Sequence, residues 1–170
     1  MQNITLYRRT LACANWHKQQ QDIPTYVFPW LAENGSLTQK LQHICRQLEV
    51  EVIQQGWINA SPYNPKTSSK ITALNEPYWL REVLIKGDGD PWIFAQTRLP
   101  KSTVEQVASD VLTLGNSAIG LWLFPQQPKR QDLTWSQDPQ SGLFARSSSL
   151  LLQQYPLEIQ ELFLPHFSFP

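Results

Sequence analysis

An α+β domain, with about six mainly antiparallel strands and helices packed on the sheet, is predicted by three observations. The run Tyr78–Lys86 alternates like a half-buried strand and ends in Gly87-Asp-Gly-Asp90, a hairpin signal from which Trp92 to Leu99 returns. Two stretches, Ser36-Leu-Thr-Gln39 and Ser102-Thr-Val-Glu105, have capping-box form and lead into apolar residues at helical spacing. Further strand-like runs bounded by turn residues follow at 131–137, Leu143–Gln153 and Leu157–Leu164. Strands gathered in hairpins around two clear helices give the mixed class, and 170 residues fit a single domain over 1–170.

Taken in order, residues 1–25 read as an irregular polar segment, because the Gln19-Gln20-Gln21 run and Pro24 oppose a regular element. A short helix is expected around 29–33, and Leu37, Leu41, Ile44 and Leu48 place an amphipathic helix from 37 to about 47. Val50 to Ile58 forms a strand with an irregularity at Gly56, and 59–70 is a loop by composition. The second helix spans about 103–114, with Gly115 placed to end it. Leu121–Phe124 is either a helical turn or a strand, residues 125–129 form a linker, and Tyr155-Pro156 marks the last turn.

Lys and Arg number 14 against 14 Asp and Glu, so the chain lacks the basic excess of a nucleic-acid or anionic-membrane binder. No apolar run approaches the roughly 18 residues of a membrane span. Cys13 and Cys45 have no metal-ligand spacing, and His17, His43 and His166 are far apart, so no metal is expected. Arg8-Arg9 precedes too short an apolar stretch for an export signal, which predicts a cytoplasmic protein with reduced thiols. With no obvious exposed apolar stripe, a monomer is expected.

Two charges stand in the wrong place. Trp79, Arg81, Val83 and Ile85 share one strand face, and Leu157, Ile159, Glu161 and Phe163 share another. The opposite face of the first strand carries Glu82 and Lys86, which have a route to water. A guanidinium on an apolar face requires anionic partners, and the pair of opposite sign places Arg81 and Glu161 as neighbours in one interior. That arrangement is either a structural ion pair or a polar pocket whose arginine fork receives a substrate carboxylate. Arg146, in phase with Phe144, Ser148 and Leu150, is a third candidate, suited to a second carboxylate; its alternative is an exposed arginine beside serines.

Several of these motifs together resemble the chorismate pyruvate-lyase family: Tyr78-Trp-Leu-Arg-Glu-Val-Leu84, Gly87-Asp-Gly-Asp-Pro-Trp92, the Leu114-Gly115 to Leu123-Phe124 stretch, Gly142-Leu-Phe-Ala-Arg146, and Glu161-Leu-Phe-Leu-Pro165. The likeness runs over roughly residues 30–165 and fades before residue 25 and across 125–140. It implies a cofactor-free lyase that converts chorismate to 4-hydroxybenzoate and pyruvate for ubiquinone synthesis, in an internal cavity closed by helical flaps. It also implies that Arg81 binds the ring carboxylate, that Glu161 meets the ring hydroxyl, and that the main chain at Leu37 and Ile119 contacts the ligand. Arg146 aligns with a family arginine, which makes it a substrate-binding candidate. A rival reading is a non-catalytic domain that binds aromatic carboxylates, like the effector domains of bacterial regulators. The 25 residues ahead of the first expected helix are too few for a helix-turn-helix module.

Overall fold

The structure is a computed structural model that describes residues 3–60 and 69–170. Six antiparallel strands make one sheet: β1 (Leu48–Ile58), β2 (Tyr78–Gly87), β3 (Asp90–Pro100), β4 (Lys129–Gln137), β5 (Phe144–Leu152) and β6 (Tyr155–Phe163), in the spatial order β1-β2-β3-β6-β5-β4. Each trio of consecutive strands is a meander, and β3 meets β6 at the centre. The β2–β3 turn falls at Asp88 and Gly89, both at positive φ, as the Asp-Gly pair predicts. The β5–β6 turn has no such signature: Gln153 and Gln154 hold φ of 48° and 73°, and Tyr155 already belongs to the strand. The turn therefore lies at Gln153-Gln154, two residues earlier than Tyr155-Pro156.

One sheet face is covered by three short helices, α2 (Phe28–Leu31), α3 (Leu37–Gln42) and α5 (Ile119–Leu123). Beneath them, Trp30, Leu31, Leu37 and Leu41 pack with Val83, Ile85, Ile93 and Phe163, and Phe167 closes the end through edge contacts with Trp30 and Trp92. The segment 121–124 is thus helical. At the other end, α4 (Lys101–Val107) and a 3-10 turn (Ser109–Thr113) pack Val104 and Val111 against Leu99, Leu150 and Leu157.

Several element boundaries differ from the sequence expectation. The expected 37–47 helix stops at Gln42; the Asp88 carboxylate takes the Arg46 and Gln47 amides at 2.9 Å each and turns the chain into β1. The irregularity of β1 is a bulge between Val52 and Gln54, while Gly56 pairs regularly with Leu80. The 103–114 helix breaks at Ala108, whose φ is −135°. Ser102 does not cap it; instead the Glu76 carboxylate accepts from both the Ser102 amide and hydroxyl at 2.9 Å. Most of the 59–70 loop, residues 61–68, lies outside the described residues.

The largest correction is at the N-terminus, where α1 (Ile4–Ala12) replaces the irregular segment. The Asn3 side chain accepts from the Leu6 amide at 3.1 Å and starts the helix, and Tyr7 and Leu11 pack on Leu84, Phe94 and Leu162 of the second sheet face. Glu82, expected to reach water, is only 1% exposed on that face. Arg8 supplies its counter-charge at 2.7 Å, and Gln96 donates to it at 2.6 Å. Arg8→Ala should lower unfolding free energy in a urea titration by about 1–3 kcal/mol. That is less than for a fully buried pair, because Arg8 is 41% exposed and water can take its place. An unchanged midpoint would mean that α1 contributes by packing alone.

Candidate active site

The site begins with strand pleating. Alternate residues of β2, β3, β5 and β6 point towards the helical cover, which sets Arg81 and Val83, Ala95 and Thr97, Arg146 and Ser148, and Ile159 and Glu161 around one cavity. The first turns of α3 and α5 form its roof, with Leu37 and Ile119 in the lining. Arg81, Glu161, Arg146, Leu37 and Ile119 all therefore border the same space. Counting its mouth, the unfilled volume is about 550 Å³.

The two roof helices start against one another. A Cβ on Gly120 would stand 3.0 Å from Thr38 Oγ1 and 3.1 Å from Ser36 Oγ, so glycine is what permits the approach. Ser36 caps α3, accepting from the Gln39 amide at 3.2 Å as its capping-box sequence predicts. In contrast, Ala118 precedes α5 and offers no side-chain cap. The first-turn amides of α5 thus stand at the cavity wall without a side-chain acceptor.

Arg81 is 1% exposed, yet no carboxylate lies within ion-pair distance of it among the described residues. It donates to Gln55 Oε1 at 3.1 Å and to the Ser117 carbonyl at 2.7 Å, and its buried Nε has no acceptor. Burial pulls its pKa below the usual arginine value, with no neighbouring anion to oppose the shift. Arginine nevertheless stays charged, so the cavity wall carries an uncompensated cation.

Arg81 and Glu161 face one cavity as expected, but they do not form the structural ion pair that was the alternative reading. Glu161 pairs with Arg146, whose Nε donates to Oε1 at 3.0 Å. Arg146↔Glu161 is a directly opposed β5–β6 pair, and cross-strand partners share a face. The Arg146 Nη1 also donates to the carbonyls of Trp30 at 3.0 Å and Glu33 at 3.1 Å, anchoring the end of α2 to the sheet. Arg146 is thus neither an exposed arginine beside serines nor a free cation. It is buried and holds both the Glu161 carboxylate and the α2 backbone.

Sequence reasoning missed Arg130. Its guanidinium donates to Ser148 Oγ and to the carbonyls of Asn34 and Gly35, and lies 5.9 Å from the centre of the Phe124 ring. The alternation of β4 hides it, since a bulge between Arg130 and Asp132 shifts Arg130 into phase with the cavity side. Lys129-Arg130 reads on its own as a solvated pair. No cluster of three or more His, Cys, Asp or Glu residues able to hold a metal ion occurs among the described residues.

The chorismate lyase family matches residues 10–168. A chorismate pyruvate-lyase of Pectobacterium carotovorum subsp. carotovorum is 35% identical over 156 residues, covering 91% of this chain and 86% of its own length. A probable chorismate pyruvate-lyase of Vibrio vulnificus is 32% identical over 167 residues, covering 95% and 92%. Among solved structures, a gene product of Staphylococcus aureus subsp. aureus N315 superposes with a TM-score of 0.53 at 10% identity, covering 81% of this chain and 94% of that one. This last likeness concerns the fold alone.

Proposed function

This chain belongs to the chorismate lyase family, and from that premise we propose that its cavity converts chorismate to 4-hydroxybenzoate and pyruvate, supplying ubiquinone synthesis. The single observation that carries the reading is Arg81, a guanidinium buried at a cavity wall with no carboxylate beside it among the described residues. A desolvated fork of this kind is suited to a planar carboxylate bound through two parallel N–H donors. Arg81 takes the ring carboxylate, and the main chain at Leu37 and Ile119 supplies further donors. Glu161 receives the ring hydroxyl, and Arg146 holds Glu161 in position beside the enolpyruvyl side of the substrate.

The reaction asks little covalent help of the protein. The ether bond between the ring and the enolpyruvyl oxygen breaks, the hydrogen on the hydroxyl-bearing ring carbon is lost, and the ring becomes aromatic. The departing enolpyruvate takes up one proton as it becomes pyruvate, so no co-reactant is consumed. Arg81 and Glu161 fix the ring at its two ends, and the ether is held in its reactive conformation between them. Cationic groups around the cavity stabilise negative charge developing on the departing oxygen. Glu161 either orients the hydroxyl or assists the proton's movement.

The reading extends to a cytoplasmic, monomeric enzyme made of one domain and using no cofactor. Large exposed apolar side chains such as Tyr26, Ile44, Trp57 and Leu121 come from separate stretches of chain, and no helix among the described residues is long and apolar enough to cross a membrane. The cavity is covered by the first turns of α3 and α5, which in this reading part as ligand enters and leaves. Slow product release and inhibition by 4-hydroxybenzoate follow. Purified protein mixed with chorismate should form 4-hydroxybenzoate, followed by chromatography, with turnover slowing as product accumulates. Binding of 4-hydroxybenzoate without product above the spontaneous background would make the chain a sensor or carrier and end the lyase reading.

A further inference from the structure

Chorismate carries two carboxylates, and Arg81 accounts for one. Among the described residues, the cavity and its rim hold three guanidinium groups, Arg81, Arg130 and Arg146, and Glu161 is the one carboxylate in the lining. Glu33, the other acid near Arg130, is 3.5 Å from Lys40. Two positive charges are therefore left without a counter-charge, which matches a dicarboxylate and exceeds the single charge of 4-hydroxybenzoate. Arg146 is committed to Glu161 and to two carbonyls.

We infer that Ser148 and Arg130 together form the subsite for the second carboxylate, on the enolpyruvyl side chain, with Ser148 donating the hydrogen bond and Arg130 positioning and polarising it. The inference rests on the lyase reading and goes beyond it, to the group that recognises the departing half of the substrate. Ser148 is 2% exposed, lines the cavity and sits two residues along β5 from Arg146 on the same face. Its oxygen accepts from Arg130 Nη1, so its own hydrogen is free to donate into the cavity. A hydroxyl already bound to a cation is a stronger donor to an anion than one facing water.

Arg130 stands where such a group must act. It lies opposite Leu150 of β5, which lines the cavity, and against Phe124, which follows α5 and also lines it. Its Nη2 reaches the two carbonyls that lead into α3, and its Nε is buried with no acceptor. Burial and the nearby Arg146 both oppose its charge. An anion in the cavity relieves that cost.

The test separates one carboxylate from two. In Ser148→Ala and Arg130→Gln, the KM for chorismate should rise about 10- to 100-fold, the range of a charge-assisted hydrogen bond. The dissociation constant of 4-hydroxybenzoate, followed by quenching of tryptophan fluorescence, should change less than about twofold, because that ligand lacks the second carboxylate. Arg130→Lys keeps the charge and should recover most of the lost chorismate affinity. Equal weakening of both ligands would reduce the pair to a structural prop, and no change in either would remove it from the site. Inactivity of the wild-type protein would overturn the lyase reading alone; the pair would then be judged by the affinity of unreacted chorismate in the same three variants.

Discussion

Arg81→Met should give a protein more stable than the wild type and almost without activity. A buried ion without a counter-ion is a standing cost, and replacing it by an apolar side chain of similar length stabilises by about 1–4 kcal/mol where buried charges have been exchanged in this way. The two acceptors it leaves are not stranded, since Gln55 and Ser117 are themselves exposed and water can replace the guanidinium. Catalysis should move in the opposite direction. Removing one member of a buried, hydrogen-bonded charge pair costs about 2–5 kcal/mol of binding, so kcat/KM should fall roughly 30- to 5,000-fold. Arg81→Lys keeps the charge but loses the planar fork and should fall between the two. Thermal melts and initial rates on the same preparations decide the matter. A destabilised Arg81→Met whose soluble fraction kept full activity would make Arg81 a structural residue.

Glu161 should behave differently, because its partner is inside the protein. Glu161→Gln leaves the Arg146 charge without its carboxylate at 3.0 Å and is expected to lose about 3–5 kcal/mol of stability, somewhat less where the new amide oxygen still accepts from Nε. Activity should fall by about 10²- to 10⁴-fold if Glu161 moves the proton, and by roughly tenfold if it only orients the hydroxyl. A double-mutant cycle isolates the pair: Arg146→Met with Glu161→Leu should recover most of the stability lost by either single change and none of the activity. Recovery of turnover in the double variant would exclude Glu161 from the chemistry.

The contrast between these two residues explains what was legible in the sequence. Alternation alone placed Arg81 and Glu161 on apolar faces, and both are buried against one cavity. It could not say which cation meets Glu161, because that depends on strand order. Arg146 and Glu161 are opposed across β5–β6, whereas Arg81 lies two strands away on β2, beyond β3. Glu82 gave the converse error. Its burial is created by α1, whose apolar residues are only Ile4, Tyr7 and Leu11 on one side and whose Arg8 looks like any surface arginine until the sheet is beneath it. Arg130 was concealed by one bulge, which changes the face of every residue before it. The Ser36 cap was readable because its partner is three residues away; the false cap at Ser102 was not, because the group that satisfies it is Glu76, from a distant stretch.

The strand order reads the same from either edge: edge strand, middle strand, central strand, then the reverse. Each half consists of a roof helix followed by a three-strand meander, α3 with β1–β3 and α5 with β4–β6. The guanidinium of Arg81 comes from the middle strand of the first half, and that of Arg146 from the middle strand of the second. In the proposed binding mode, a ligand held by Arg81 in the first half and by Glu161, which Arg146 positions, in the second crosses the β3–β6 seam and ties the halves together like a bolt. Occupancy should consequently protect the amides along that seam from hydrogen exchange more than those of the outer strands, since separation of the halves is the opening that the ligand opposes.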